Sequence, residues 1–214
     1  MTHLTDSCAR HLADAARRWG GLQRVPSDKA ELFQVRGFVD APLRAALIEL
    51  IDQNRRPSTI ADPNGDDYFR TSETCDLEAA LEPVQQLEAM LTALSGIDPA
   101  YGEPLQGQRY AVGQEFKAHT DYFNRDGADW ETYCAVSGQR TWTFMVYLND
   151  VGAGGATRFK AVGKTFQPEA GKLVCWNNRR PDGSENPNTL HHGMKVRSGT
   201  KYVITKWYRE RPWG

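Results

Sequence analysis

His119 and Asp121 stand two residues apart at the end of the run Tyr110-Ala-Val-Gly-Gln-Glu-Phe-Lys-Ala-His119-Thr-Asp121. Side chains on a β-strand alternate with period 2, so the pair projects from one face with Cα atoms roughly 7 Å apart. Both can then reach one ion. His191, seventy positions downstream, offers a third ligand from a distant strand. Three such ligands close one face of an octahedron and leave three positions open, the donor set suited to Fe(II) and oxygen chemistry. An isolated His-x-Asp pair carries little weight, because a hydrogen-bonded strand histidine looks the same. The surroundings carry more. Of five histidines, His3 and His11 lie in the N-terminal segment, while His119, His191 and His192 lie in the half rich in strand pattern.

Lys201 follows ten positions after His191 and opens the run Lys201-Tyr-Val-Ile-Thr-Lys-Trp-Tyr208. Alternation places Lys201, Val203, Thr205 and Trp207 on one face, so a cation and an aromatic share the metal's side. A buried lysine is rarely tolerated unpaired. A small dicarboxylate would be its natural partner.

Several separated motifs now resemble one family. These are Tyr110 with His119-x-Asp121, Arg140-x-x-Thr143-x-x-x-Tyr147-Leu148-Asn149, Gly154-Gly155-x-Thr157, and Leu190-His191 followed by Gly199-Thr-Lys201. Jointly they resemble the prolyl 4-hydroxylase-like family of Fe(II)- and 2-oxoglutarate-dependent dioxygenases, over residues 70 to 213. The resemblance implies a double-stranded β-helix, with His119, Asp121 and His191 as metal ligands. Its Leu-His-x-Gly pattern favours His191 over His192, with Gly193 easing the backbone turn and His192 pointing away. It implies that Lys201 meets the distal carboxylate of 2-oxoglutarate, with the Tyr110 and Tyr147 hydroxyls as added donors. Arg140, Trp207 and Arg70 match positions along the substrate groove. The implied reaction is hydroxylation of an aliphatic C–H in a prolyl residue of a peptide or protein, with O₂ as cosubstrate, succinate and CO₂ as coproducts, and ascorbate as a candidate reductant. A free amino acid or other small molecule stays open as substrate. So does a metal-binding jelly roll that does not use 2-oxoglutarate, although that reading leaves Lys201 idle. Two departures from the family, Ala156 in Gly-Gly-Ala-Thr and Phe116 in place of a tyrosine, are expected not to touch the metal.

The elements that must position these residues are α+β in class, a jelly roll with N-terminal helices packed outside. A single domain over residues 1–214 is expected, with 1–100 mainly helical support and 101–214 the β-helix core. Leu4, Cys8, Leu12, Ala15 and Trp19 form one stripe of a first helix, capped by Thr5 or Asp6. Leu32 to Phe38 reads as a strand, Asp40 as the cap of a second helix with Pro42 in its first turn, and Pro83 to Leu94 as a third helix ended by Gly96. In Arg140 to Leu148, Trp142, Phe144, Val146 and Leu148 face one way and Thr141, Thr143, Met145 and Tyr147 the other, so that strand is buried on both sides. Residues 124–139 show no clean period and read as a lid or plain loop carrying Trp130 and Tyr133. Gly152 to Gly155 lacks a third phosphate-loop glycine and reads as a tight turn.

Composition excludes several classes. With 26 Lys and Arg against 27 Asp and Glu, the net charge is −1, so no global field draws the chain to nucleic acid or membrane. Hydrophobic residues at 40% and charged residues at 25% suit a globular core. Cys8, Cys75, Cys134 and Cys175 are scattered without a CxxC pair, which reads as a reduced, cytoplasmic setting. No apolar run approaches the roughly 18 residues of a membrane span. Oligomeric state is left open.

Overall fold

The strand at the middle of the molecule, Arg140–Tyr147, is apolar on both faces and must be covered on both. The computed structural model, which describes residues 3–18, 21–58, 70–127 and 130–214, supplies the two covers. The helices are α1 (His3–Arg18), α2 (Ala41–Asn54), α3 (Glu82–Ser95) and α4 (Trp130–Cys134). The strands begin with β1 (Leu22–Arg24), β2 (Leu32–Val35), β3 (Arg56–Pro57), β4 (Glu73–Asp76), β5 (Gln106–Tyr110), β6 (Phe116–His119) and β7 (Arg140–Tyr147). They continue with β8 (Ala153–Gly154), β9 (Thr157–Phe159), β10 (Lys164–Phe166), β11 (Leu173–Asn177), β12 (His191–Gly193), β13 (Val196–Ser198) and β14 (Lys201–Arg209).

Eight strands form the large sheet in the order β1-β2-β11-β7-β14-β5-β4-β3, and four form the facing sheet, β10-β9-β12-β6. β8 and β13 pair separately. On the outer face of the large sheet, Trp142, Phe144, Val146 and Leu148 join Leu12, Leu47, Ile51, Leu87 and Leu91 of the helices in one core. Between the sheets, Met145 and Tyr147 join Phe159, Phe166, Val174, Trp176 and Val203 in a second. The alternation of β7 thus divides the protein into a helix-backed half and a half that contains the site.

Helix boundaries follow local chemistry. The Asp40 carboxylate accepts the Leu43 amide at 3.0 Å, and Pro42 occupies the first turn of α2, where a missing N–H costs nothing. α3 ends at Gly96, whose φ of 66° is the left-handed conformation that closes helices. α1 already runs from His3, so Thr5 and Asp6 lie within it instead of capping it, and Trp19 falls outside the described residues.

The support provided by the first hundred residues is more than helical. β1 and β2 extend one end of the large sheet, and β4 and β3 extend the other. A three- or four-residue strand carries too few alternations to stand out in a sequence, yet each satisfies backbone groups at a sheet edge that would otherwise be open. The Gly152–Gly155 stretch, expected as a turn, contributes β8, which pairs with β13 across Gly154 and Val196. Position 154 needs glycine there, because its φ is 78° and a Cβ would sit 2.2 Å from the Lys195 carbonyl.

Candidate active site

β12 pairs antiparallel with β6 so that His191 lies directly opposite His119. Cross-strand neighbours share a face, and the two imidazole centroids stand 4.3 Å apart. Asp121 lies just past the end of β6 in a bend, not on the strand as its spacing suggested, yet it still turns back toward both rings. Its Oδ1 is 3.7 Å from His119 Nε2 and 4.0 Å from His191 Nε2, and one donor atom from each residue lies within 4.8 Å of the others.

Both rings are oriented by bonds on their far side. His119 Nδ1 is 2.8 Å from the Lys117 carbonyl, and His191 Nδ1 is 3.0 Å from that of Thr189. Each carbonyl can only accept, so each Nδ1 carries the proton and each Nε2 lone pair faces Asp121. The Thr143 hydroxyl donates to Asp121 Oδ2 at 2.7 Å and accepts from Asn178 Nδ2 at 2.9 Å. That occupies one carboxylate oxygen and leaves Oδ1 toward the imidazoles. Ligand bonds of about 2.1 Å at right angles would set donors about 3 Å apart, so the two Asp121 edges close by about 1 Å or less on a metal ion and the edge between the histidines by less than about 2 Å. The donor set fits such an ion.

Aromatic packing strips water from the ligands. Phe116 stacks on His119 at 3.5 Å, while Phe159 and Trp176 lie against His191 at 5.2 and 4.8 Å. Burial, and then the neighbouring His191, push His119 down to about 3, which keeps it a neutral ligand at any working pH. Burial alone would raise the Asp121 carboxyl. His191, His119, Arg140 and the Thr143 hydroxyl outweigh it and hold the group below its ordinary range.

These ligands open into a cavity of about 390 Å³, mouth included, between the two sheets. Lys201, Val203, Thr205 and Trp207 all line it, as the alternation of β14 requires. Lys201 is 2% exposed and has Tyr110 as its cross-strand partner. No carboxylate or hydrogen-bond acceptor among the described residues meets its ammonium, which lies 4.8 Å from the Tyr110 ring centre and 5.5 Å from that of Tyr147. Burial lowers its pKa to about 7.

The other expected site residues are placed less uniformly. Tyr110 lines the cavity, but Tyr147 lies behind its wall. The Tyr147 hydroxyl is within bonding distance of Thr157 Oγ1 at 2.7 Å and the Phe166 carbonyl at 3.2 Å, so its one proton is already engaged. Arg140 is engaged as well: Nε and Nη2 donate to Glu103 at 2.6 and 2.7 Å, and Nη1 reaches the Asp121 carbonyl at 3.4 Å. Its guanidinium stacks over Trp207 at 4.0 Å and Phe123 at 4.9 Å, a strut beside the cavity instead of a free cation within it. Arg70 reaches Ser72, Thr74 and Gln106 and lies 4.8 Å over Phe116, on the ring that also stacks on His119. His192 points outward to Glu115 at 2.9 Å. Gly193, expected to ease a turn, lies within β12 without a positive φ and lines the cavity instead.

Thr143 and Asn178 hold a ligand, and Glu103 fixes Arg140, yet sequence reasoning assigned none of the three to the site. Thr143 left a trace, a polar side chain on the inward face of an apolar strand. Glu103 and Asn178 left none, because their partners are remote in sequence. The expected lid contains α4, and its Tyr133 stacks on Phe123 at 5.1 Å, which continues the aromatic wall from Trp207 through Arg140.

Comparison with known proteins agrees with this geometry. The model of the 2OG-Fe(II) oxygenase superfamily matches residues 105–209. Prolyl 4-hydroxylase subunit alpha-1 of Homo sapiens is 30% identical over 189 residues, covering 86% of this chain and 35% of that protein. The chain spans about a third of the length of the curated relatives it matches, 28% of the Gallus gallus alpha-1 subunit and 35% of the human one. Among solved structures, the viral collagen prolyl hydroxylase of Paramecium Bursaria Chlorella virus-1, as its 2OG complex, superposes with a TM-score of 0.66 at 24% identity, over 83% of this chain and 95% of that one. The Trichoplax adhaerens prolyl hydroxylase in complex with a hypoxia inducible factor peptide fragment superposes at 0.62 and 14% identity, over 98% and 90%. With the His119–Asp121–His191 set and the buried Lys201 in one cavity, this chain belongs to the prolyl 4-hydroxylase-like family of the 2OG-Fe(II) oxygenase superfamily.

Proposed function

We propose that the protein hydroxylates an aliphatic C–H of a prolyl residue in a peptide or protein, using Fe(II), 2-oxoglutarate and O₂. One observation carries the proposal: a three-donor metal set and a buried lysine without an anionic partner share a single cavity. When bound, Fe(II) with its two cosubstrates supplies the insertion of one oxygen atom into a C–H bond, with release of succinate and CO₂.

This chain's own part is binding and orientation. His119 and His191 present Nε2 lone pairs, and Asp121 presents Oδ1 because the Thr143 hydroxyl, itself held by Asn178, donates to Oδ2. Lys201 draws a distal carboxylate to the closed end of the cavity, and the charge-assisted bond selects a chain of matching length. Burial raises the pKa of the Tyr110 phenol and keeps it neutral; its proton now makes a long 3.4 Å bond to Gln108 Oε1 and would have to turn from it to meet that carboxylate. Phe116, Trp176 and Trp207 wall the space between and keep water from the reacting carbon. Arg140, anchored by Glu103, fixes both Trp207 and the Asp121 backbone. The peptide assignment draws on the prolyl 4-hydroxylase relatives and on a structural neighbour solved with a peptide. Ascorbate as reductant belongs to the same proposal.

Succinate release by the Fe(II)-loaded protein, with and without prolyl peptides, tests this reading. Turnover that rises with a prolyl peptide and disappears in His119→Ala is expected. Stimulation by free amino acids alone would remove the peptide assignment. Absence of both succinate and 2-oxoglutarate binding would overturn the oxygenase reading.

A further inference from the structure

Two triplets outside the site repeat one pattern, a cation, an apolar residue and a cation: Arg158-Phe159-Lys160 and Lys195-Val196-Arg197. The central residues, Phe159 and Val196, are buried in the core between the sheets. Period 2 then turns all four cations outward, and all four are exposed. They line one groove of about 1270 Å³, open to solvent, with His192 and Glu115. Register sets Arg158 beside Thr165 on one side and His192 on the other, and the groove lining brings Lys195 and Arg197 of the neighbouring two-stranded sheet to the same opening.

Four like charges facing one groove repel each other, and such an arrangement weakens a sheet unless anions offset it. Glu115 is the one carboxylate lining the groove, and it already meets His192 at 2.9 Å and Lys195 at 3.5 Å. The side chains of Arg158, Lys160 and Arg197 have no partner among the described residues. The groove therefore holds a local positive excess on a chain whose net charge is −1. Arg158 lies on β9 with Lys160 just past its end, and Arg197 lies on β13 with Lys195 just before it, so each strand carries its two cations to the rim of the groove. No Phe, Tyr or Trp lines the groove, and its one ring, His192, is tied to Glu115 at 2.9 Å, so it offers little platform on which bases would stack.

We propose that this groove docks an extended acidic segment of a protein partner. The inference rests on charge and register outside the cavity and does not depend on the proposed oxygenase activity. The test is fluorescence anisotropy of a labelled peptide of alternating Asp or Glu, beside its Asn/Gln counterpart and a single-stranded oligonucleotide of similar length. Arg158→Glu with Lys160→Glu, and separately Lys195→Glu with Arg197→Glu, are compared with the unaltered protein, with circular dichroism as the check on folding. Saturable binding of the acidic peptide is expected, weakened about tenfold or more by each pair of reversals and also by added salt. The neutral peptide should not bind. Binding by neither peptide, equal binding of both, or an affinity that the reversals leave unchanged would each overturn the proposal. Tighter binding of the oligonucleotide, lost in the same variants, would also overturn it in favour of a nucleic-acid site.

Discussion

Replacing Lys201 with methionine should make the protein more stable while weakening its hold on 2-oxoglutarate. The ammonium is 2% exposed, without an anionic partner among the described residues, and burial lowers its pKa from 10.5 to about 7. The folded state therefore binds this proton less readily than the unfolded chain. The resulting destabilisation is complete below pH 7, shrinks as pH rises from 7 toward 10.5, and vanishes above that range. At 1.36 kcal/mol per pH unit its ceiling is about 5 kcal/mol, which water in the cavity reduces. Lys201→Met removes the cost, so the ligand-free variant should melt several degrees higher at pH 6, with the gain fading as pH rises. Ligand binding should move the other way. Loss of a buried, hydrogen-bonded charge pair costs about 2–5 kcal/mol, so the Kd for 2-oxoglutarate should rise on the order of 100-fold. In the unaltered protein about nine tenths of Lys201 is charged at pH 6 and about one tenth at pH 8, so its Kd should weaken about tenfold over that range, and the variant's should not. Calorimetry on the protein loaded with a redox-inert divalent metal reads Kd, and thermal melts read stability. A Kd within threefold of the unaltered protein, or a ligand-free variant that melts lower at pH 6, would refute the reasoning.

Two further perturbations separate the ligand set from the scaffold. Thr143→Ala removes the 2.7 Å bond to Asp121 Oδ2 and should lower metal affinity about 10–100-fold, while cavity and helices stay in place. A metal titration with unchanged affinity would exclude Thr143 as the residue that orients Asp121. Trp142→Ala empties a fully buried position in the helix-side core and should cost about 3–5 kcal/mol, on the order of 10 °C in Tm. Because Trp142 faces away from the cavity, the Kd for 2-oxoglutarate below the new melting range should stay the same, and a large change would place the division between the two cores elsewhere.

The site's chemistry was legible in the sequence because each signal is local. His119 and Lys201 declare themselves by residue type and period 2, Asp121 by type and its nearness to His119 although it lies past the strand's end, and the two faces of β7 separate by alternation alone. The same rule set Val203, Thr205 and Trp207 in the cavity. What pairs with what was not local. Only the antiparallel register of β12 on β6 sets His191 opposite His119. Only packing shows that Glu103 holds Arg140, that Thr157 takes up the Tyr147 hydroxyl, and that Asn178 reaches Thr143. The resemblance implied Tyr147 as a donor to 2-oxoglutarate and Arg140 as a residue of the substrate groove. Partners 37 and 10 residues away give them other work, since a donor's free capacity depends on its three-dimensional neighbours. Of the four short strands among the first hundred residues, Leu32–Val35 was read and the other three were hidden for a related reason: two to four residues show too few alternations, and their stability comes from the sheet edges they complete. Residue type and period determined which side chains could do the chemistry. Tertiary structure decided which of them have a bond still to make.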